Sequence, residues 1–150
     1  MADYGAIAIY HPPAFREKAI NLCVSIIIVN YNSGPLLGRC LAHVARQTVA
    51  PERIWVVDNA STDDSCDPAD TCDRVTLIRA GTNLGFAAGN NLALARCHTP
   101  FVAFLNPDAF PEPDWLETLL TAAEENPQYA MFGSRLVSAE NPRLLDGDGD

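Results

Sequence analysis

Asn106-Pro107-Asp108 sets two oxygen-bearing side chains two residues apart with a stiff proline between them. Such a pair can point at one cation. Mg²⁺ and Mn²⁺ favour oxygen ligands and keep waters and phosphate oxygens in the rest of their shell. A metal held there would neutralise a diphosphate leaving group. Asn-Pro and Pro-Asp are also common turn dipeptides, and for these three residues alone the turn is the better account. Asp58 is the second candidate, directly after Val56-Val57. Its carboxylate can accept the imide N–H of a pyrimidine base. It can equally order the next loop and cap a helix, and position alone leaves both readings open. The third is Asn83-Leu84-Gly85-Phe86-Ala87-Ala88-Gly89-Asn90-Asn91, a glycine-bearing loop running into a helix. Amides at a helix start suit anionic groups. The spacing is neither a dinucleotide fingerprint nor a P-loop. The competing account is a tight turn, with Gly89 allowing a helix to approach the sheet closely.

Other constellations are weaker. Cys40 and His43 lie three apart on a helix, and Cys97 adjoins His98. Zinc needs four converging ligands, and no C-x-x-C pair is present, so packing explains these residues better. No G-x-S-x-G elbow surrounds any serine. Asp146-Gly147-Asp148-Gly149-Asp150 resembles part of a calcium loop but lacks the closing glutamate.

The candidates need a scaffold, and the hydrophobic pattern supplies one. Val24–Val29 is a β-branched run, apolar at nearly every position, which suits a strand buried on both faces. Pro35 sits where a first helical turn tolerates proline, with Ser33 or Gly34 near the cap. Leu37, Cys40, Leu41 and Val44 then follow at helical spacing. Strands are expected at 54–57, 75–78, 101–105 and 130–136, with 59–65 a polar loop. Helices are expected around Leu92–Ala95 and from Trp115 to about Glu125, the latter capped by Asp114. Residues 1–22 read as an irregular lead-in, and 23–150 as one domain. Strand alternating with helix implies an α/β fold: a doubly wound, mostly parallel sheet with flanking helices. Such sheets bind ligands outside the carboxyl ends of their strands. Asn30, Asp58 and Asn106–Asp108 each follow a strand, so the pattern gathers them at one rim.

Composition narrows the function classes. The 150 residues suffice for one core. A net charge of −9 disfavours general nucleic-acid binding, although a nucleotide can still be held by amides or a cation. Five irregularly spaced cysteines fit free thiols in a reducing compartment. No apolar run approaches membrane-helix length, and no secretory signal is evident, so the cytoplasm is the default expectation.

Four stretches together resemble family 2 glycosyltransferases, which have the GT-A, nucleotide-diphospho-sugar transferase fold. They are Val24–Asn32, Val56–Asp63, Asn83–Phe86 with Gly89-Asn90-Asn91, and Phe104–Asp108. The resemblance runs from about Val24 to about Leu136. It implies that Val29, Asn30 and Tyr31 pack on the base and ribose. It implies that Asp58 reads the uracil or thymine imide, and that Asn83 and Asn91 line the nucleotide pocket. Asn106 and Asp108 match the first and last positions of the Asp-x-Asp motif that holds Mg²⁺ or Mn²⁺. Asparagine in first place brings no charge, so Asp108 becomes the main anchor and Asn106 its helper, directly or through water.

The Asn-Pro-Asp form is most similar to the rhamnosyltransferase-like branch. That implies a dTDP- or UDP-linked donor, with dTDP-rhamnose the candidate, and cell-surface polysaccharide biosynthesis. The implied acceptor is a glycan or lipid-linked molecule, with peripheral membrane association through further segments at the inner face of the membrane. In this family an aspartate or glutamate in the acceptor half deprotonates the acceptor hydroxyl, which displaces the nucleoside diphosphate with inversion. That half is expected beyond residue 150. Nothing ties Asp146, Asp148 or Asp150 to the base, so no catalytic residue is assigned. Two rivals remain: a module that binds a nucleotide sugar without turnover, and a different doubly wound nucleotide-binding domain. Among the latter, a nucleotidyltransferase would carry a basic glycine-rich loop, whereas Asn30–Gly34 has no lysine or arginine.

Overall fold

The computed structural model describes residues 8–10, as backbone, and 23–137. Six strands form one sheet in the order β4-β3-β2-β5-β1-β6. They are β1 (Ala8–Tyr10), β2 (Val24–Asn30), β3 (Arg53–Asp58), β4 (Val75–Arg79), β5 (Phe101–Phe104) and β6 (Met131–Gly133). The four central and outer strands β4, β3, β2 and β5 run parallel. β1 is antiparallel to both of its neighbours, β5 and β6. The helices are α1 (Leu36–Val44), α2 (Asp67–Asp70), α3 (Phe86–Leu94) and α4 (Trp115–Glu125).

Every residue of β2 is buried. Its side chains alternate between the two faces. Val24, Ile26 and Ile28 join a core with Leu37, Cys40, Leu41 and Val44 of α1 and with Leu116, Leu119 and Leu120 of α4. Ile27 and Val29 face the other way, toward Val57, Val102 and Ala93 of α3. The continuous apolar run thus feeds two cores at once. Ile26, Ile27 and Ile28 are 0% exposed, and burying each stabilises the fold by roughly 1.5–3 kcal/mol.

Four expectations need correction. The lead-in 1–22 was expected to be irregular, but Ala8–Tyr10 forms a strand between β5 and β6. Three residues carry no readable periodicity, and pairing on both sides supplies what local pattern cannot. The final strand is shorter than 130–136, at Met131–Gly133. The polar stretch after β3 is not all loop: Asp63 caps a 3₁₀ turn at Asp64–Cys66, and α2 follows. Asp114 stands at the start of α4 but makes no side-chain cap bond. Gln47 provides that cap instead, its Oε1 accepting from the Leu116 amide at 3.0 Å while its Nε2 donates to the Glu112 carbonyl at 2.6 Å. A cap borrowed from 69 residues away leaves no local signal.

Candidate functional site

The parallel register brings the strand ends together. Asn30 stands opposite Asp58, and Ile27 opposite Phe104. The ladder continues one step past the strands. The Asn59 amide donates to the Asn30 carbonyl at 2.8 Å, the Ala80 amide to the Asp58 carbonyl at 2.9 Å, and the Leu105 amide to the Ile27 carbonyl at 2.9 Å. Asp58 and the Asn106–Asp108 turn therefore leave the same rim from strands flanking β2, about 10 Å apart by strand spacing.

Asn30 is fully buried. Its amide hydrogens are shared among Ser61 Oγ at 3.1 Å, Ser65 Oγ at 2.8 Å and Cys66 Sγ at 3.2 Å. Its Oδ1 accepts from the Ser33 hydroxyl. The side chain thus spends its hydrogen bonds inside the protein and ties the loop after β2 to the loop after β3. Asn32, at φ 48°, adds a second tie: its Oδ1 accepts from the Thr62 amide at 2.7 Å, and its amide donates to Ser61 Oγ at 3.1 Å. Asp63 adds a third, accepting from the Gly34 amide at 2.9 Å and from the Ser65 hydroxyl and amide. Those bonds, the Ser65 hydroxyl first, hold the Asp63 carboxyl below the usual carboxylate range.

Asp58 is 9% exposed, and its Oδ1 accepts from the Ser61 amide at 3.0 Å. The Cys66 thiol lies against it, and burial together with that carboxylate pushes the thiol up to about 11. An ionised carboxylate has about four acceptor positions, so the anchored Asp58 retains capacity for an incoming N–H. The loop-ordering reading of Asp58 is the one seen here, and it uses only part of the carboxylate's capacity.

The third wall is the 83–85 loop. Asn59 is buried; its Nδ2 donates to Asn83 Oδ1 at 2.8 Å and to the Gly85 carbonyl at 3.3 Å, and its Oδ1 accepts from the Leu84 amide at 2.8 Å. Asn83 Oδ1 also accepts from the Gly85 amide at 2.9 Å. Gly85, at φ 78°, then opens α3, which no side chain caps. Asn83 therefore faces Asn59, while Asn91 is exposed on α3. The neighbouring Asn90 is buried and bonds back to the Phe86 carbonyl at 3.0 Å. Tyr31, Leu84 and Phe86 are the exposed large apolar residues of these loops, and Val29 is buried beneath them against α3.

Asn106 is buried and Asp108 half-buried. The Asn106 carbonyl accepts from the Ala109 amide at 3.2 Å and from the Cys40 thiol at 3.5 Å, which closes the turn onto α1. Burial first, then the Asp108 charge, pushes the Cys40 thiol up to about 12. The segment behind the turn is clamped as well. His43 Nδ1 lies 3.2 Å from the Pro111 carbonyl, and the Arg39 guanidinium stands 4.3 Å from the Phe110 ring centre. The turn reading of Asn106-Pro107-Asp108 is thus correct as local structure, and it sets one carboxylate at the rim. Among the described residues no three His, Cys, Asp or Glu side chains group closely enough to hold a metal by themselves. A carboxylate and a carboxamide oxygen suit a hard cation whose shell is completed by waters and phosphate.

The structure adds Asn32, Ser61, Ser65 and Cys66 to the site, and gives Asn59, beside Asp58, a loop-ordering role. Two signals were present: the Asn-Tyr-Asn-Ser-Gly and Asn-Ala-Ser-Thr-Asp strings are dense in side chains that bond to loop backbone.

Comparison with known proteins agrees with this architecture. The glycosyl transferase family 2 model matches residues 25–146. The succinoglycan biosynthesis protein ExoU of Rhizobium meliloti is 35% identical over 102 residues, 65% of this chain and 30% of that protein. The N-acetylglucosaminyl-diphospho-decaprenol L-rhamnosyltransferase of Mycobacterium tuberculosis is 29% identical over 136 residues, 83% of this chain and 42% of that one. The structure of S. aureus TarS in complex with UDP superposes with a TM-score of 0.64 at 24% identity, covering 70% of this chain and 33% of that chain. The fold is accordingly that of a GT-A glycosyltransferase. The chain spans well under half the length of these relatives. No described helix is long and apolar enough to cross a membrane. With 122 consecutive positions matched, the chain belongs to glycosyl transferase family 2.

Proposed function

We propose that this chain is the donor-binding part of an inverting glycosyltransferase that takes a dTDP- or UDP-linked sugar. The observation that carries the reading is the common rim: a loop-anchored Asp58 with spare acceptor capacity, and Asp108 two strands away beside an oxygen-rich turn. In this reading Asp58 accepts the imide N–H of the base, and exposed Tyr31 covers the base or ribose. Asn30 positions both loops from inside. Asn83 fixes the 83–85 wall through Asn59, and Asn91 meets the ligand from α3. Asp108 and Asn106 would hold Mg²⁺ or Mn²⁺, which when bound supplies positive charge to the departing diphosphate.

The base that deprotonates the acceptor belongs to the remaining part of the enzyme. Asp146, Asp148 and Asp150 lie outside the described residues. The relatives' names favour a glycan or lipid-linked acceptor: one is named for succinoglycan, another for a decaprenol-linked sugar. The latter is a rhamnosyltransferase, which favours dTDP-rhamnose as donor. Such an acceptor puts the protein in the cytoplasm at the inner face of the membrane.

Calorimetry with UDP and dTDP, each with and without Mn²⁺, tests this. Asp58→Asn keeps the volume but replaces a charged acceptor, and binding should weaken by about tenfold or more. Asp108→Asn should remove the Mn²⁺ dependence and leave metal-free binding unchanged. Full affinity in both variants, or no nucleotide binding by the unaltered chain with either metal, overturns the proposal. Transfer or donor hydrolysis by this chain alone would exclude a purely binding role.

A further inference from the structure

The opposite rim of the sheet carries a cavity of about 590 Å³ that the donor reading does not use. Its walls include Arg53 and Trp55 of β3, Thr76 of β4, and Arg96 and His98 just past the end of α3. Arg53 opens β3 and Asp58 closes it, so this cavity lies about 16 Å along the strand from the candidate nucleotide site. Helix α3 ends at Leu94, and Ala95, Arg96 and His98 just beyond it line the space. The volume falls within the range that takes a small molecule.

Three features give the cavity a chemistry. First, its charge runs against that of the whole. The chain carries a net −9, yet among the described residues Arg53, Arg96 and His98 share the wall with a single carboxylate, Glu52. Neither arginine forms an ion pair with a described residue. Second, both guanidiniums are steadied and keep N–H groups to spare. Arg96 Nη1 donates to the Leu92 carbonyl at 2.6 Å, and Arg53 Nη1 lies 3.4 Å from Thr76 Oγ1; a guanidinium has five N–H donors. Third, the Trp55 ring lines the cavity while its indole N–H is buried with no acceptor among the described residues, so its resonance reports on a ligand seated beside it. The floor beneath is firm: Thr99 and Ser25 are both buried, the Thr99 hydroxyl donates to the Phe101 carbonyl at 2.8 Å, and it accepts from the Ser25 hydroxyl 3.0 Å away.

We propose that this cavity binds a small phosphomonoester of sugar-phosphate size. Its phosphoryl oxygens take the guanidinium N–H groups of Arg53 and Arg96, and its body lies beside the Trp55 ring. Guanidiniums suit a phosphoryl group because their planar forks match its oxygens. The volume beyond the phosphate accommodates a hydroxylated body.

The indole N–H resonances of the ¹⁵N-labelled chain give a residue-specific test. There are two tryptophans, and Trp55→Phe assigns the peaks. Trp115 is the internal control, because its indole already donates to Ser134 Oγ at 2.8 Å. The probes are glucose-6-phosphate, inorganic phosphate and glucose. The expected result is a saturable shift of the Trp55 peak with glucose-6-phosphate, no shift with glucose, and a still Trp115 peak. An equal response to inorganic phosphate would assign the site to free phosphate. Arg53 and Arg96 are exposed, so the Arg53→Gln/Arg96→Gln variant should keep the rest of the spectrum and lose affinity about tenfold or more. No Trp55 shift with either phosphate, or an undiminished shift in the double variant, overturns the proposal. The readout is separate from nucleotide binding, so the donor reading can fail without this one.

Discussion

Gly89 is where α3 meets β2, and adding one methyl there should be felt at the site. A Cβ at Gly89 would stand 2.9 Å from Val29 Cγ1 and 3.1 Å from Val29 Cγ2. Carbon atoms pack best at about 3.5–4.0 Å, so helix and strand must part by about half an ångström. Rotating Val29 about χ1 does not clear the contact, because a β-branched side chain keeps at least one methyl there. Val29 is buried beside Ala93 and Val57, which limits its room to retreat. Overpacking of this kind costs about 1–3 kcal/mol. Alanine in place of glycine inside a helix returns about 1 kcal/mol. Gly89→Ala should therefore destabilise by about 1 kcal/mol net, the overpacking slightly outweighing the helix term.

The cause can be isolated with Val29→Ala. That truncation alone removes buried methyls and costs about 2 kcal/mol. Once it is present the clash is gone, and Gly89→Ala should stabilise by about 1 kcal/mol through helix propensity alone. The two changes should thus be coupled by about 2 kcal/mol in the favourable direction. Urea denaturation of the four proteins measures this. Additivity within about 0.5 kcal/mol, or a Gly89→Ala protein more stable than the parent, refutes the close-approach account of this glycine. Nucleotide affinity should follow the same pattern, because α3 begins at Gly85 on the wall held by Asn59.

Other outcomes follow from the loop ties. Asn30→Ala strips partners from Ser33, Ser61 and Ser65 at once, and should lower stability by about 3 kcal/mol, read as a fall in Tm. A fall of under about 0.5 kcal/mol would mean that water replaces the amide. Asp63, whose carboxyl is depressed from an ordinary 3.8, favours the folded state above that value. Its contribution is lost as pH falls through the lower folded value, so the Gly34 amide resonance should titrate with a midpoint below 3.8. A midpoint at or above that value removes Asp63 as a staple. Burial raises the Cys40 thiol to about 12 and those of Cys66 and Cys97 to about 11. Their thiolates form only at strongly alkaline pH, so iodoacetamide at about pH 8 should label exposed Cys72 well ahead of them, as read by peptide mass spectrometry. Early labelling of Cys66 would mean that the loops around Asp58 open readily.

The elements legible in the sequence were those whose stability is local or whose apolar run is long. β2 announced itself because five of the six positions from Val24 to Val29 are apolar, Ser25 alone interrupting the run. Helix α1 did so because Leu37, Cys40, Leu41 and Val44 repeat at helical spacing and all are buried. What stayed hidden depends on partners distant in sequence. β1 exists through its two antiparallel neighbours, and the α4 cap is supplied by Gln47. The candidate site divides the same way. Asp58 and Asp108 could be placed because a parallel sheet dictates where strand ends go. The direction of Asn30 could not. A polar residue ending a buried strand can face ligand or protein, and only the hydroxyls arriving from the loop after β3 turn it inward.

That inward turn explains why so many amides surround so few free charges at this rim. Asn30, Asn32, Asn59 and Asn83 hold three loops together with neutral groups. Asp63, the charged exception, is taken up by the Gly34 and Ser65 donors. A carboxamide can brace a loop without bringing a net charge that competes for a cation or repels a diphosphate. Building the same ties from Asp and Lys would have set both signs of charge beside the ligand and shifted its electrostatics with every loop movement. In the proposed reading, neutral bracing would let Asp58 and Asp108 act on a background set by geometry. In the proposed metal reading the asparagine at position 106 would fit this logic: its carboxamide brings no charge, so Asp108 would be the single negative charge of that motif for a cation to balance.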